Sequence, residues 1–148
     1  MIIVLSAIVP PQITVWEVIL MANVLFSLFL TVVSFSLFVT ARRVNGINRT
    51  LRNIPISIFE ASIPLVQESD EPIIYYDKNI LEGKLTSYFK KELPKYVDKY
   101  FVSYYYYEQE DRSICTSEYC TAVEITVYAK VVLEMNYQKS VSFYIQKN

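Results

Sequence analysis

Cys115 and Cys120 are the two cysteines of the 148-residue chain, and they enclose the polar hexapeptide CTSEYC. Thiols at this spacing can close a small disulfide loop, remain free, or act as a redox pair. Redox pairs are commonly C-x-x-C at a helix start, whereas this pair lies between two strand-like segments, so the disulfide is the leading expectation. Closing so short a loop contributes about 2 kcal/mol in the chain-entropy picture and requires an oxidising compartment. Beside it stand Glu108, Glu110, Asp111 and Arg112. Calcium would need several oxygen ligands at defined spacing, which is absent, so these acids read as a solvated turn. The run Tyr104-Tyr105-Tyr106-Tyr107 offers contact area with polar tips. Alternate residues of a strand face opposite sides, so one pair covers a core and the other forms an aromatic contact face, with Tyr104 and Tyr106 as the candidates.

Other chemistries are excluded by composition. The chain has no histidine, which removes the commonest general base, the histidine-dependent nucleophile systems and every zinc site that uses imidazole. Two glycines cannot build a phosphate-cradling loop, and neither the Walker nor the dinucleotide pattern occurs. A net charge of −1 does not suit a nucleic-acid surface. No catalytic residue, cofactor, metal site or small-molecule substrate is assigned, and the chain does not read as an enzyme.

The charges are unevenly placed. Glu17 is the single ionisable side chain between Met1 and Ala41, and all fourteen Lys and Arg lie beyond it. Val18 to Ala41 carries no charge and no proline, and as a helix it would run about 36 Å, enough to cross a hydrocarbon core of about 30 Å. Trp16 suits one interface and Arg42-Arg43 mark the other. Asn23, Ser27, Thr31, Ser34 and Ser36 are small polar residues whose hydroxyls can bond back to carbonyls one turn earlier. Glu17 at the helix entrance reads either as an interfacial, solvated carboxylate or as a partner for a neighbouring subunit's positive group. Residues 1–14 form a separate N-terminal segment, too short to span and lacking the basic start of a secretory signal. It is a possible leader, or a mis-assigned start with initiation at Met21.

Orientation is contested within the sequence. Arg42, Arg43, Arg49 and Arg52 follow the helix and favour a cytoplasmic C-terminal domain. The cysteine pair and the sequon Asn48-Arg49-Thr50 favour an extracytoplasmic one, and the outward reading is preferred.

Beyond the span, residues 42–71 read as a juxtamembrane connector. Val44, Ile47, Leu51 and Ile54 share one helical face, Gly46 weakens the helix and Pro55 ends it. Ile56 to Val66 alternates imperfectly and is either a strand or a packed tether, and residues 67–72 form an acidic turn. Residues 72–148 make a small α+β domain. Asp77 caps an amphipathic helix whose Leu81, Leu85, Tyr88 and Phe89 face inward, and Pro94 ends it. Tyr100–Tyr107, Thr121–Glu134 and the segment of Val141, Phe143 and Ile145 predict a three-stranded antiparallel meander on which that helix packs. In the middle strand Val123, Ile125, Val127, Ala129, Val131 and Leu133 point one way.

The segment Ile13-Thr-Val-Trp-Glu17-Val-Ile-Leu resembles the start of type IV pilin-like and TadE-like pseudopilins, in which a glutamate follows a few residues into an apolar N-terminal helix. By that resemblance Ile13 corresponds to the first mature residue and Glu17 to the fifth-position glutamate. It implies a helix, a connector and a small α/β domain with an antiparallel meander, sometimes with a disulfide near the C-terminus. It also implies a minor subunit of a surface filament or secretion apparatus. Such a subunit would associate with protein partners, or with itself, through Glu17 and the Asn23/Ser27/Ser34 side of the helix. The alternatives are a cytoplasm-facing membrane adaptor or regulatory subunit, and a viral membrane protein.

Overall fold

The computed structural model describes residues 14–64, 74–132 and 135–145. The chain divides into two compact units, Met1–Phe38 and Val39–Asn148, and the helix α1 (Val15–Arg52) supplies residues to both.

In the first unit the helix starts with a reciprocal capping box. The Thr14 amide donates to Glu17 Oε2 at 2.7 Å, and the Glu17 amide donates to Thr14 Oγ1 at 3.4 Å. Two N–H groups that the helix cannot satisfy are thereby paired. Thr31 Oγ1 donates to the Ser27 carbonyl at 2.9 Å, the back-bonding expected of hydroxyls in an apolar helix. The helix has an 18-residue window of mean hydropathy 2.4, none of it buried. Apolar side chains point in every direction, with Leu25, Phe26, Leu28, Phe29 and Leu30 all exposed. Such a helix has no charged face to give to water, its few polar residues being small.

The second unit is an α+β fold. Its first core residues come from α1 itself: Ile47 and Leu51 are buried, with Gly46 and Thr50 beside them. Residues 42–71, expected to be a connector, thus contribute Ile47, Leu51, Ile54 and Phe59 to the core, and the unit begins at Val39. Gly46 does not interrupt the helix. It is buried against the Tyr96 ring, which leaves no room for a methyl group there. Close approach of the ring outweighs the helix cost of glycine, about 1 kcal/mol.

After Pro55 the chain forms a short helix, α2 (Ile56–Glu60), and not the strand that was one of two readings of this stretch. Its Phe59 is buried, and Ser62 closes it by donating to the Phe59 carbonyl at 2.8 Å. Leu65, Val66 and the acidic turn lie outside the described residues.

The next elements are β1 (Tyr76–Asp77), α3 (Lys78–Glu92), a 3-10 turn over Leu93–Lys95, β2 (Tyr100–Tyr107), β3 (Tyr119–Cys120), β4 (Ala122–Lys130) and β5 (Asn136–Tyr144). Asp77 caps α3 as expected, its carboxylate accepting from the Ile80 amide at 3.1 Å. Leu81, Leu85 and Phe89 bury the inner face of α3, and Lys90 and Lys91 place positive charge in its last turn.

The expected three-stranded antiparallel sheet is present in the order β2-β4-β5. Tyr104 opposes Ile125 across β2–β4, and Ile125 opposes Val141 across β4–β5. Val123, Ile125, Val127, Ala129 and Val131 are buried in the alternation read from sequence, although the strand stops at Lys130 and Leu133 and Glu134 lie outside the described residues. A second, two-stranded sheet pairs β1 with β3, with Tyr76 opposite Cys120. Strands of two residues show no periodicity, so nothing in the sequence announced them.

Candidate functional site

The cysteine loop sits where the two sheets meet α3. Cys115 and Cys120 are disulfide-bonded, with Cα atoms 6.0 Å apart, and both are buried. The bond ties Cys120 of β3 to the loop at Cys115, while backbone pairing joins β3 to β1, directly before α3 begins. The Lys78 amide donates to the Glu118 carbonyl at 3.1 Å, and Lys78 Nζ donates to the Cys115 carbonyl at 2.9 Å. The Cys115 amide donates to the Tyr106 carbonyl at 3.1 Å, which ties the loop to β2. Glu108 lies beside the sulfurs, and its carboxylate and both sulfurs fall within 4.8 Å of one another. With the thiols joined in a cystine the group cannot act as a thiolate metal set, and Glu108 instead accepts from Thr121 Oγ1 at 2.9 Å. Glu110, Asp111 and Arg112 form an exposed turn. Asp111 accepts from the Ser113 amide at 2.9 Å, which holds its carboxyl below the ordinary range, and Arg112 takes a left-handed φ of 57°. This is a stapled tip, in keeping with the solvated turn read from sequence.

The tyrosine run resolves with the opposite phase. Tyr106 is 7% exposed and Tyr104 is half-buried, its hydroxyl 3.2 Å from Thr86 Oγ1. The contact face assigned to Tyr104 and Tyr106 is therefore corrected by one residue: Phe101, Tyr105 and Tyr128 are exposed on the outer side of the sheet. The Phe101 and Tyr128 rings stand 6.1 Å apart, and Tyr105 stacks on Tyr107 at 6.0 Å. Four identical residues carry no alternation, and the adjacent pair Phe101-Val102 is apolar at both positions, so the sequence left the phase open. The Tyr106 hydroxyl is buried beside Glu82 without a well-aligned hydrogen bond among the described residues, and the Lys78 ammonium lies over the ring, 5.3 Å from its centroid. Burial, assisted by the negative charge of Glu82, pushes its ionisation well above the ordinary tyrosine range.

The arginines after the apolar stretch divide into two kinds. Arg43 is half-buried, donates to the Val131 carbonyl and lies 3.5 Å from Asp98. It belongs to the fold of the domain. Arg42, Arg49 and Arg52 are exposed. Asn48, the sequon asparagine, accepts from the Tyr137 hydroxyl at 2.8 Å, and Thr50 is 4% exposed and donates to the Gly46 carbonyl at 3.0 Å. A helical sequon with a buried threonine is a poor acceptor of glycan in the folded domain, so it adds nothing to an outward orientation.

Of the residues expected to mediate helix assembly, Asn23, Ser27 and Ser34 lie on the exposed helix of the first unit, and Trp16 stands near its start, 81% exposed. Glu17 finds its partner within its own helix, in the capping box with Thr14. The pattern Thr14-Val-Trp-Glu17 is the sequence signal for that role. No protein family, curated protein or solved structure matches this chain.

Proposed function

We propose that this chain is a single-pass membrane protein that acts by protein association, with α1 as anchor and assembly element and Val39–Asn148 as the folded domain it carries. The observation supporting this most is a helix with an uncharged stretch whose mean hydropathy reaches 2.4, none of it buried, exposing large apolar side chains around its circumference. The order of elements agrees with the pilin-like and TadE-like outline: an apolar N-terminal helix, then a small α+β domain with an antiparallel sheet and a disulfide. On that reading the chain is a minor subunit of a surface filament or secretion apparatus. Asn23, Ser27, Thr31 and Ser34 recur at intervals of three or four residues and form the small, polar stripe along which helices approach closely in lipid.

The test is site-directed cross-linking in membranes. Cysteines placed singly at positions 23, 27 and 34 should cross-link to a partner or a second copy, and Asn23→Leu with Ser27→Leu should reduce the yield from position 34 severalfold while the domain stays folded. Equal cross-linking from positions around the whole helix would contradict a specific assembly face.

The buried disulfide favours an extracytoplasmic domain, because such a bond persists in an oxidising compartment. The second reading, a cytoplasm-facing adaptor, is favoured by the exposed Arg42, Arg49 and Arg52. Thiol labelling in intact cells separates them: blocked Cys115 and Cys120 with an externally digestible domain mean outward, free thiols and protection mean inward.

A further inference from the structure

We propose that the exposed face of α1 just beyond its apolar stretch binds the phosphate groups of anionic phospholipids in the leaflet on the domain's side. The proposal rests on the membrane-spanning reading above. At 100° per residue, Arg42, Asn45, Arg49 and Arg52 fall within an arc of about 80°, on the side of the helix opposite Ile47 and Leu51. The structure agrees: these four side chains are exposed and the other two buried. Asn45, Asn48, Arg49, Arg52 and Asn53 line an open cleft of about 390 Å³.

Three features distinguish this face from an ordinary solvated one. First, no acidic residue occurs between Val18 and Phe59, so the helix supplies no counter-charge at three- or four-residue spacing. Surface helices normally alternate charges there, and like charges along one stripe repel. Second, the cations are all arginines: four of the five arginines in the chain fall between positions 42 and 52, whereas every lysine comes at position 78 or later. Guanidinium presents two parallel donors to phosphate oxygens, which ammonium does not. The asparagine amides add neutral donors to the same cleft. Third, Arg42 directly follows Ala41, the last residue of the uncharged stretch. It therefore enters the headgroup layer, and Arg49 and Arg52 lie about 10 and 15 Å further along the helix axis. With a headgroup layer of about 6 Å, both remain within roughly one Debye length of an anionic surface. Arg43, one position away, is instead held by Val131 and Asp98 and is not part of the face.

The test uses the full chain in nanodiscs and in mild detergent with equal amounts of phosphatidylglycerol and phosphatidylcholine, read by native mass spectrometry. The wild type should retain phosphatidylglycerol about fivefold over phosphatidylcholine, with the preference fading as salt rises. The Arg49→Gln/Arg52→Gln chain, altered at two exposed positions, should lose most of it, and Arg43→Gln should keep it. Equal retention of the two lipids, or a preference that survives Arg49→Gln/Arg52→Gln, overturns the proposal. So does binding of inorganic phosphate alone, in phosphatidylcholine, at the affinity seen for the lipid, since the face would then be a site for a free anion. A chain that never enters the nanodisc defeats the membrane reading itself, which is a separable failure.

Discussion

The Tyr88 hydroxyl donates to the Thr50 carbonyl at 2.9 Å and lies 3.1 Å from the Asn53 carbonyl. A side chain of α3 thus satisfies carbonyls that the end of α1 leaves without an intrahelical partner. This links the amphipathic helix to the last turn of the long one and fixes where α1 stops, before Pro55. Tyr88→Phe should cost about 1–2 kcal/mol, the loss of one or two hydrogen bonds to partly buried carbonyls, measured by urea unfolding of the full chain in detergent. An unchanged midpoint would mean that the end of α1 is held by other contacts.

Gly46 is required for contact, not for flexibility. Gly46→Ala should improve intrinsic helix propensity and still destabilise the domain by about 1–3 kcal/mol, because the new methyl overlaps the Tyr96 ring. Gly46→Ala combined with Tyr96→Ala should recover part of the loss contributed by the overlap. Strict additivity in that double-mutant cycle would show that the two positions do not touch.

The disulfide closes a loop of five residues in sequence separation. Its removal by Cys115→Ser/Cys120→Ser should lower stability by about 2 kcal/mol. Amide exchange should accelerate at Tyr119–Cys120, the strand the bond anchors, and at Tyr76–Asp77, which pair with it, before it accelerates in β4. Uniform acceleration would instead place the bond's effect in the whole domain.

Tyr106 sets the response to alkali. Burial raises its ionisation, as it does more modestly for Tyr76, Tyr104 and Tyr88. In the unfolded chain tyrosine ionises near pH 10, so the unfolded state releases protons that the folded state keeps. Stability is then fully present below about pH 10 and falls as pH rises further. Tyr106→Phe should stabilise the domain by about 1 kcal/mol by removing a buried hydroxyl that lacks a well-aligned hydrogen bond, and should shift the alkaline unfolding midpoint upward. A variant less stable than wild type at neutral pH would show that the hydroxyl has a bound partner.

The sequence disclosed those elements whose apolar residues repeat with a clear period. Leu81, Leu85 and Phe89 marked α3, and Val123 to Val131 marked the central strand. It did not disclose contacts between residues distant in the chain. Arg43, grouped with its neighbours as a charge at the end of the apolar stretch, is held by Val131 and Asp98. Gly46, read as a weak point, is a packing surface for Tyr96. The phase of the tyrosine run was undetermined locally and is fixed by pairing with β4. The capping role of Glu17 was readable from Thr14 three positions before it.

The most direct test of the central claim is alkaline carbonate extraction of membranes from cells expressing the full chain. The protein should remain in the membrane pellet and enter solution only with detergent. Release into the carbonate supernatant as a folded, monodisperse protein would contradict a membrane-spanning helix at Val18–Ala41.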